Sequence, residues 1–194
     1  MNLRFAYLRG LVSGHDFSRA ETGLNNWRAL APAMAKLARN ASPEQVLQSE
    51  RTFFVTTKSS MGRRLLQSER NATLLIEVLR SCVAERKFEL HNFVIMPDHL
   101  HLLLTVDGEM TIEKAMQLVK GRFSYRLKKE FGYPGEVWQR GFSEERSDSS
   151  ESFSRHREYI AQNPVKAGLV DSPEQFPFCY TYLAKRNRAT GERS

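Results

Sequence analysis

Met96-Pro97-Asp98-His99-Leu100-His101-Leu102-Leu103-Leu104 sets two histidines two residues apart at the front of an apolar run. In a β-strand, residues i and i+2 share a face and lie about 6.6 Å apart by strand rise. His99 and His101 therefore lean to one side, while Leu100 and Leu102 enter a core on the other. The spacing alone also fits two surface histidines of an antiparallel strand. The Pro-Asp turn before the pair and the apolar run after it put both imidazoles at a strand start, where each can reach one metal ion at about 2.0–2.2 Å.

Outward from this strand the pattern alternates between strand and helix. Thr52–Thr57 is β-branched and aromatic, which predicts a strand. Residues 69–86 carry Leu74, Leu75, Val78, Leu79 and Val83 at helical spacing. Phe88–Ile95 and His99–Val106 read as two strands joined through Met96-Pro97-Asp98, an antiparallel pair. Thr111 suits the N-cap of a helix, with Glu109 and Glu113 complementing its dipole, that runs to about Phe131 before Gly132 and Pro134. Glu136–Phe142 is expected as a fourth strand. Asp148 with Glu151 resembles a capping pair for a last helix over about 150–162, ending before Pro164. The order β-α-β-β-α-β-α implies an α+β sandwich of ferredoxin-like type, a mostly antiparallel sheet with helices packed on a face.

Residues 1–48 differ in character. Leu24, Trp27, Leu30, Met34 and Leu37 recur at helical spacing, and Ser42-Pro43 breaks the pattern. They read as a peripheral, partly disordered segment with one amphipathic helix, and Met34 is a candidate start. Residues 49–184 form the main domain and residues 185–194, with Lys185, Arg186 and Arg188, a flexible basic tail. The 194 residues are 41% hydrophobic and carry a formal charge of +7, which indicates a globular chain suited to a polyanionic partner. Cys82 and Cys179 sit in apolar patterns and read as buried reduced thiols. No apolar run approaches the roughly 18 residues of a membrane span, and Arg4 and Arg9 interrupt the first apolar stretch as a secretory leader would not. A cytoplasmic protein is expected, with no membrane partner.

About sixty residues after the histidines comes Tyr159-Ile160-Ala161-Gln162-Asn163-Pro164-Val165-Lys166-Ala167-Gly168-Leu169-Val170. Tyr159 and Asn163 are four apart and share a helical face. A tyrosine at the edge of a buried stripe is commonly plain core, yet this one has a chemical use. A phenol of pKa about 10 is a weak nucleophile until its target is polarised. A divalent ion held by His99, His101 and the Asn163 amide oxygen would neutralise a phosphate, and Tyr159 would attack its phosphorus to give a 5′-phosphotyrosine and a free 3′-hydroxyl. No Walker loop or dinucleotide motif is present. His15, His91 and His156 supply a multi-histidine hydrolase site poorly.

His99-Leu100-His101 resembles the histidine-hydrophobic-histidine signature of HUH endonucleases. With the Tyr159–Val170 stretch, and Trp138-Gln139-x-Gly141-Phe142 between them, the chain from about Arg51 to Tyr182 resembles the REP-associated branch of the single-tyrosine HUH transposases. That resemblance implies a ferredoxin-like HUH fold, Mg²⁺ or Mn²⁺, Tyr159 as nucleophile, and His99, His101 and Asn163 as ligands. It also implies cleavage and rejoining of single-stranded DNA near hairpins of repetitive palindromic elements, by a monomer or homodimer associated with the bacterial nucleoid. A catalytically inactive binder of structured repeat DNA is the alternative. Ser143–Asp148 is more acidic than the resemblance leads one to expect, and residues 1–48 have no counterpart in it.

Lys120, Arg122, Arg126, Lys128 and Lys129 crowd one helix with Phe123 and Tyr125 interleaved, a composition able to meet phosphates and stack unpaired bases, or to form an ordinary solvated face. Lys120, Arg122, Arg126, Arg140 and Lys166 are the expected DNA contacts.

Overall fold

The computed structural model describes residues 50–108 and 110–190, so the N-terminal segment, Glu109 and residues 191–194 lie outside it. Four strands, β1 (Arg51–Lys58), β2 (Glu89–Ile95), β3 (His99–Val106) and β4 (Ser143–Arg146), form one antiparallel sheet in the order β2-β3-β1-β4. Helices α1 (Glu69–Ala84), α2 (Ile112–Phe131), α3 (Ser150–Lys166) and α4 (Tyr180–Thr190) complete the described chain. This is the expected α+β, ferredoxin-like arrangement.

The histidine strand β3 sits inside the sheet, flanked by β1 and β2. Its even positions, Leu100, Leu102, Leu104 and Val106, are fully buried with Val55 against Leu75 and Leu79 of α1 and Met116, Val119 and Phe123 of α2. Each such side chain contributes about 1.5–3 kcal/mol through burial, so this layer fixes the register. The opposite face carries Val94, Leu103 and Phe54 against Ile160 of α3 and Leu169, Phe176 and Cys179 beyond it. Helices thus cover both faces of the sheet, where one face was expected. Cys82 and Cys179 are buried free thiols in the two separate cores.

Four local expectations are corrected. Glu136–Phe142 is not a strand: Gly135 and the bulky Trp138 set an irregular path tied to the end of β1 by a single Ser59–Trp138 bridge, and regular pairing begins only at Ser143. The cap of α3 is Ser149, whose hydroxyl accepts from Ser152 N–H while the Ser152 hydroxyl takes up the Ser149 N–H, so a short serine pair serves in place of Asp148 and Glu151. Asp148 instead pairs with Arg146 at 2.6 Å. Third, α3 runs through Pro164 to Lys166. The proline costs one helical hydrogen bond near the end, and the chain then closes a Schellman motif, Leu169 N–H to Pro164 carbonyl and Gly168 N–H to Val165 carbonyl, both 2.9 Å. Gly168 at φ 66° supplies the left-handed residue this closure requires, and Leu169 is buried below it. Fourth, residues 185–190 continue α4, so the beginning of the expected flexible tail is helical.

Candidate nucleic-acid processing site

Register brings the histidine pair to one end of the sheet. Thr56 lies opposite His101 and Lys58 opposite His99, so all four share the face covered by α3. The turn before the pair is locked from β1's end: Ser59 N–H and hydroxyl both reach the Asp98 carbonyl, at 2.8 and 2.9 Å, and Leu66 N–H reaches the Pro97 carbonyl at 2.9 Å. His99 and His101 stand edge to face with ring centroids 4.7 Å apart.

Both imidazoles are held through the same nitrogen. Asp98 Oδ1 lies 2.6 Å from His99 Nδ1, and a carboxylate can only accept, so Nδ1 carries the proton. Thr56 Oγ1 lies 2.8 Å from His101 Nδ1. Each ring therefore has Nε2 left for a ligand, the partition that supports metal binding by histidine. Burial, followed by the charges of His99 and Lys58, drives His101 well below the ordinary histidine range and keeps it neutral. Burial would raise Asp98, but its hydrogen bond and ionic attraction to His99 outweigh this and leave the carboxyl below its usual value.

Phe54 is the floor of the site. His101 and His156 stack on it at 5.4 and 4.8 Å, and Tyr159 meets it edge-on at 5.6 Å. The Tyr159 ring also meets His101 edge-on, with centroids 5.4 Å apart, so the phenol and the histidine pair converge. Two turns along α3, Lys166 Nζ lies 5.3 Å from the Tyr159 ring centroid, a cation–π contact that puts positive charge beside the phenol. Asn163, one turn beyond Tyr159 on the same helix, is partly buried. His156 is engaged elsewhere, with Nε2 3.3 Å from Glu145 Oε1 and Nδ1 3.4 Å from Ser147 Oγ. Burial depresses its proton affinity against the pull of Glu145. His91 bonds Thr105 at 2.7 Å. Among the described residues, no group of three or more His, Cys, Asp or Glu is placed to hold a metal. The Nε2 atoms left open on His99 and His101 are donors of a kind that suits a divalent cation.

The expected basic residues separate. Lys166 and Lys120 serve the site end: Lys120 Nζ donates to the Gln139 and Gly141 carbonyls at 2.9 and 2.7 Å, holding the segment that presents exposed Arg140 next to β1. Arg122 and Arg126 lie on α2, behind the other sheet face. Arg122 grips Glu85 through two bonds of 2.6 and 2.8 Å, and Arg126 pairs with Glu77 and Glu130. The paired guanidinium holds Glu85 down at about 2. Thr56, Asp98, Phe54 and Lys58 escaped sequence reasoning. Alternation puts Phe54, Thr56 and Lys58 on one face of β1, but only the register against β3 shows which face. Asp98 was visible in the turn without its orienting bond.

The support under His99 has a measurable consequence. An Asp98→Asn protein is expected to bind Mn²⁺ about 10–100-fold more weakly by calorimetry, since losing an outer partner of a ligating histidine has effects of that size. Unchanged affinity would remove Asp98 from the site.

The sequence model of the family described as "Transposase IS200 like" matches residues 53–163. The chain belongs to that family. Over 133 residues it is 26% identical to the REP-associated tyrosine transposase of Escherichia coli (strain K12), covering 68% of this chain and 70% of that one. It is also similar to a solved REP-associated tyrosine transposase bound to a REP hairpin, with a TM-score of 0.59 at 25% identity, covering 74% of this chain and 82% of that one. Among the described residues no helix is long and apolar enough to cross a membrane.

Proposed function

We propose that this transposase cleaves and rejoins single-stranded DNA through Tyr159. The phenol oxygen attacks a phosphodiester phosphorus, the bond to the 3′-oxygen breaks, and the products are a 5′-phosphotyrosine and a 3′-hydroxyl. The observation that carries this reading is the 5.4 Å approach of the Tyr159 and His101 rings across the gap between α3 and β3. His99 and His101 through Nε2, with Asn163 through its amide oxygen, would hold Mg²⁺ or Mn²⁺. When bound, such an ion neutralises charge on a non-bridging phosphate oxygen. The protein's own groups do the rest. Phe54 and His101 fix the phenol ring, Lys166 places positive charge beside it, and the closed end of α3 keeps Lys166 and Tyr159 on one continuous helix.

The likeness to a transposase bound to a REP hairpin supports a hairpin of repetitive palindromic DNA as substrate, met on the bacterial chromosome in the cytoplasm. Residues 49–184 are the processing unit in this reading, with residues 1–48 peripheral. The test is incubation of the purified protein with hairpin-bearing single-stranded DNA and Mn²⁺, followed by a denaturing gel. A protein–oligonucleotide adduct supports the reading. Hairpin binding without any adduct leaves only the inactive-binder alternative.

Phosphate contact falls to Arg140 and Lys166 in this reading, with Lys120 as the brace of the Arg140 segment. Arg122 and Arg126 take no part, being neutralised on the far side of the sheet. An Arg122→Ala protein is therefore expected to bind the hairpin with unchanged affinity and an unchanged dependence on salt, measured by fluorescence anisotropy. Loss of a phosphate contact would instead lower the salt slope by about 0.7–0.9.

A further inference from the structure

We propose that Lys58 contacts the scissile phosphate and stabilises the charge that builds on it, a role that rests on the tyrosine chemistry above. Lys58 is the last residue of β1 and lies in register directly opposite His99. Thr56, two residues before it, bonds His101, so the alternation of the strand puts Lys58 on the same face as both imidazoles. Its side chain is exposed.

Lys58 adds a cation to the strand face that carries both imidazoles. Its charge opposes the binding of a bare divalent ion, and the neighbouring Asp98 carboxylate bonds His99. A phosphodiester resolves this conflict. It brings negative charge where Lys58, the ligand nitrogens and the Tyr159 phenol meet, and that charge grows as the phenol oxygen attacks. An ammonium positioned there acts most strongly on the transition state. Neighbouring backbone fixes the base of Lys58, since its carbonyl accepts from Gln139 N–H at 2.9 Å. That bond joins β1's end to the segment carrying Arg140.

The test uses the full-length protein, with Lys58→Met and Lys58→Arg variants checked for native circular dichroism. In the first arm, binding of a hairpin-bearing single-stranded oligonucleotide is followed against salt in EDTA. Lys58→Met is expected to lower the salt slope by about 0.7, one phosphate contact on a single strand, and Lys58→Arg to retain the parent slope. In the second arm, single-turnover cleavage with Mn²⁺ is expected to fall about 100-fold in Lys58→Met, the loss typical of removing one transition-state donor. Partial recovery is expected in Lys58→Arg. A parent-like slope and rate in Lys58→Met overturn the inference while leaving the tyrosine chemistry standing. A parent protein that binds but forms no adduct overturns the chemistry, and the slope still decides whether Lys58 touches phosphate. Absence of any binding overturns both.

Discussion

A Tyr159→Phe protein is expected to give no protein–DNA adduct and to lower cleavage by at least about 10⁴-fold, the scale on which loss of a nucleophile acts. The substitution removes one oxygen and keeps the ring. Contacts of that ring with Phe54 and His101, and the cation–π contact with Lys166, belong to its carbon framework and survive. Folding and hairpin affinity should therefore match the parent, which separates lost chemistry from lost structure. Adduct formation above about one per cent of the parent rate would transfer the nucleophile's role elsewhere.

His101→Ala is expected to have an effect of similar reach through a different route. His101 is 5% exposed, its Nδ1 is tied to Thr56, and burial keeps it neutral, as a metal-ligating imidazole must be. Its removal should abolish measurable Mn²⁺ binding in calorimetry and lower Mn²⁺-supported cleavage by about 10³-fold, while hairpin binding in EDTA persists. Chelation of the parent protein should reproduce the kinetic loss, and added Mn²⁺ should restore the parent but not the variant. A His101→Ala protein that retains Mn²⁺ affinity would place the ion away from β3. The variant also opens space beside Phe54, so a melting curve is the companion measurement.

Much of the fold could be read from alternation and helical spacing, and the reason lies in the central strand. Leu100, Leu102 and Leu104 alternate with His99, His101 and Leu103 so regularly that strand, buried face and chemical face follow together. The helices α1 and α2 were legible because their apolar stripes meet that buried face. The strand expected over Glu136–Phe142 was misplaced because its residues have strand-like composition, whereas pairing depends on where β1 leaves an open edge. Pro164 misled for a related reason: local preference argues for a stop, but the Gly168 closure two turns past Tyr159 carries the helix onward.

The residues proposed to react could be picked out in the sequence, whereas the side chains packed around them could not. His99, His101 and Tyr159 stand out by spacing, and the family resemblance implies their roles. Thr56 and Phe54 read as ordinary strand residues until β1 and β3 are aligned. Arg122 looked like a DNA contact because charge in a sequence has no direction, and Glu85 is thirty-seven positions away.

The two faces of the sheet are unequal in what they bury. The α1 and α2 side holds a broad apolar core, while α3 rests on a small cluster around Ile160, Leu169 and Phe176. Opening of the α3 side exposes less apolar surface and leaves the larger core intact, so it is the cheaper local excursion. The tyrosine thus rides on the less deeply anchored side of the sheet, and in the proposed reaction a local opening there would give a tethered strand end room to exchange while the imidazoles stay where they are.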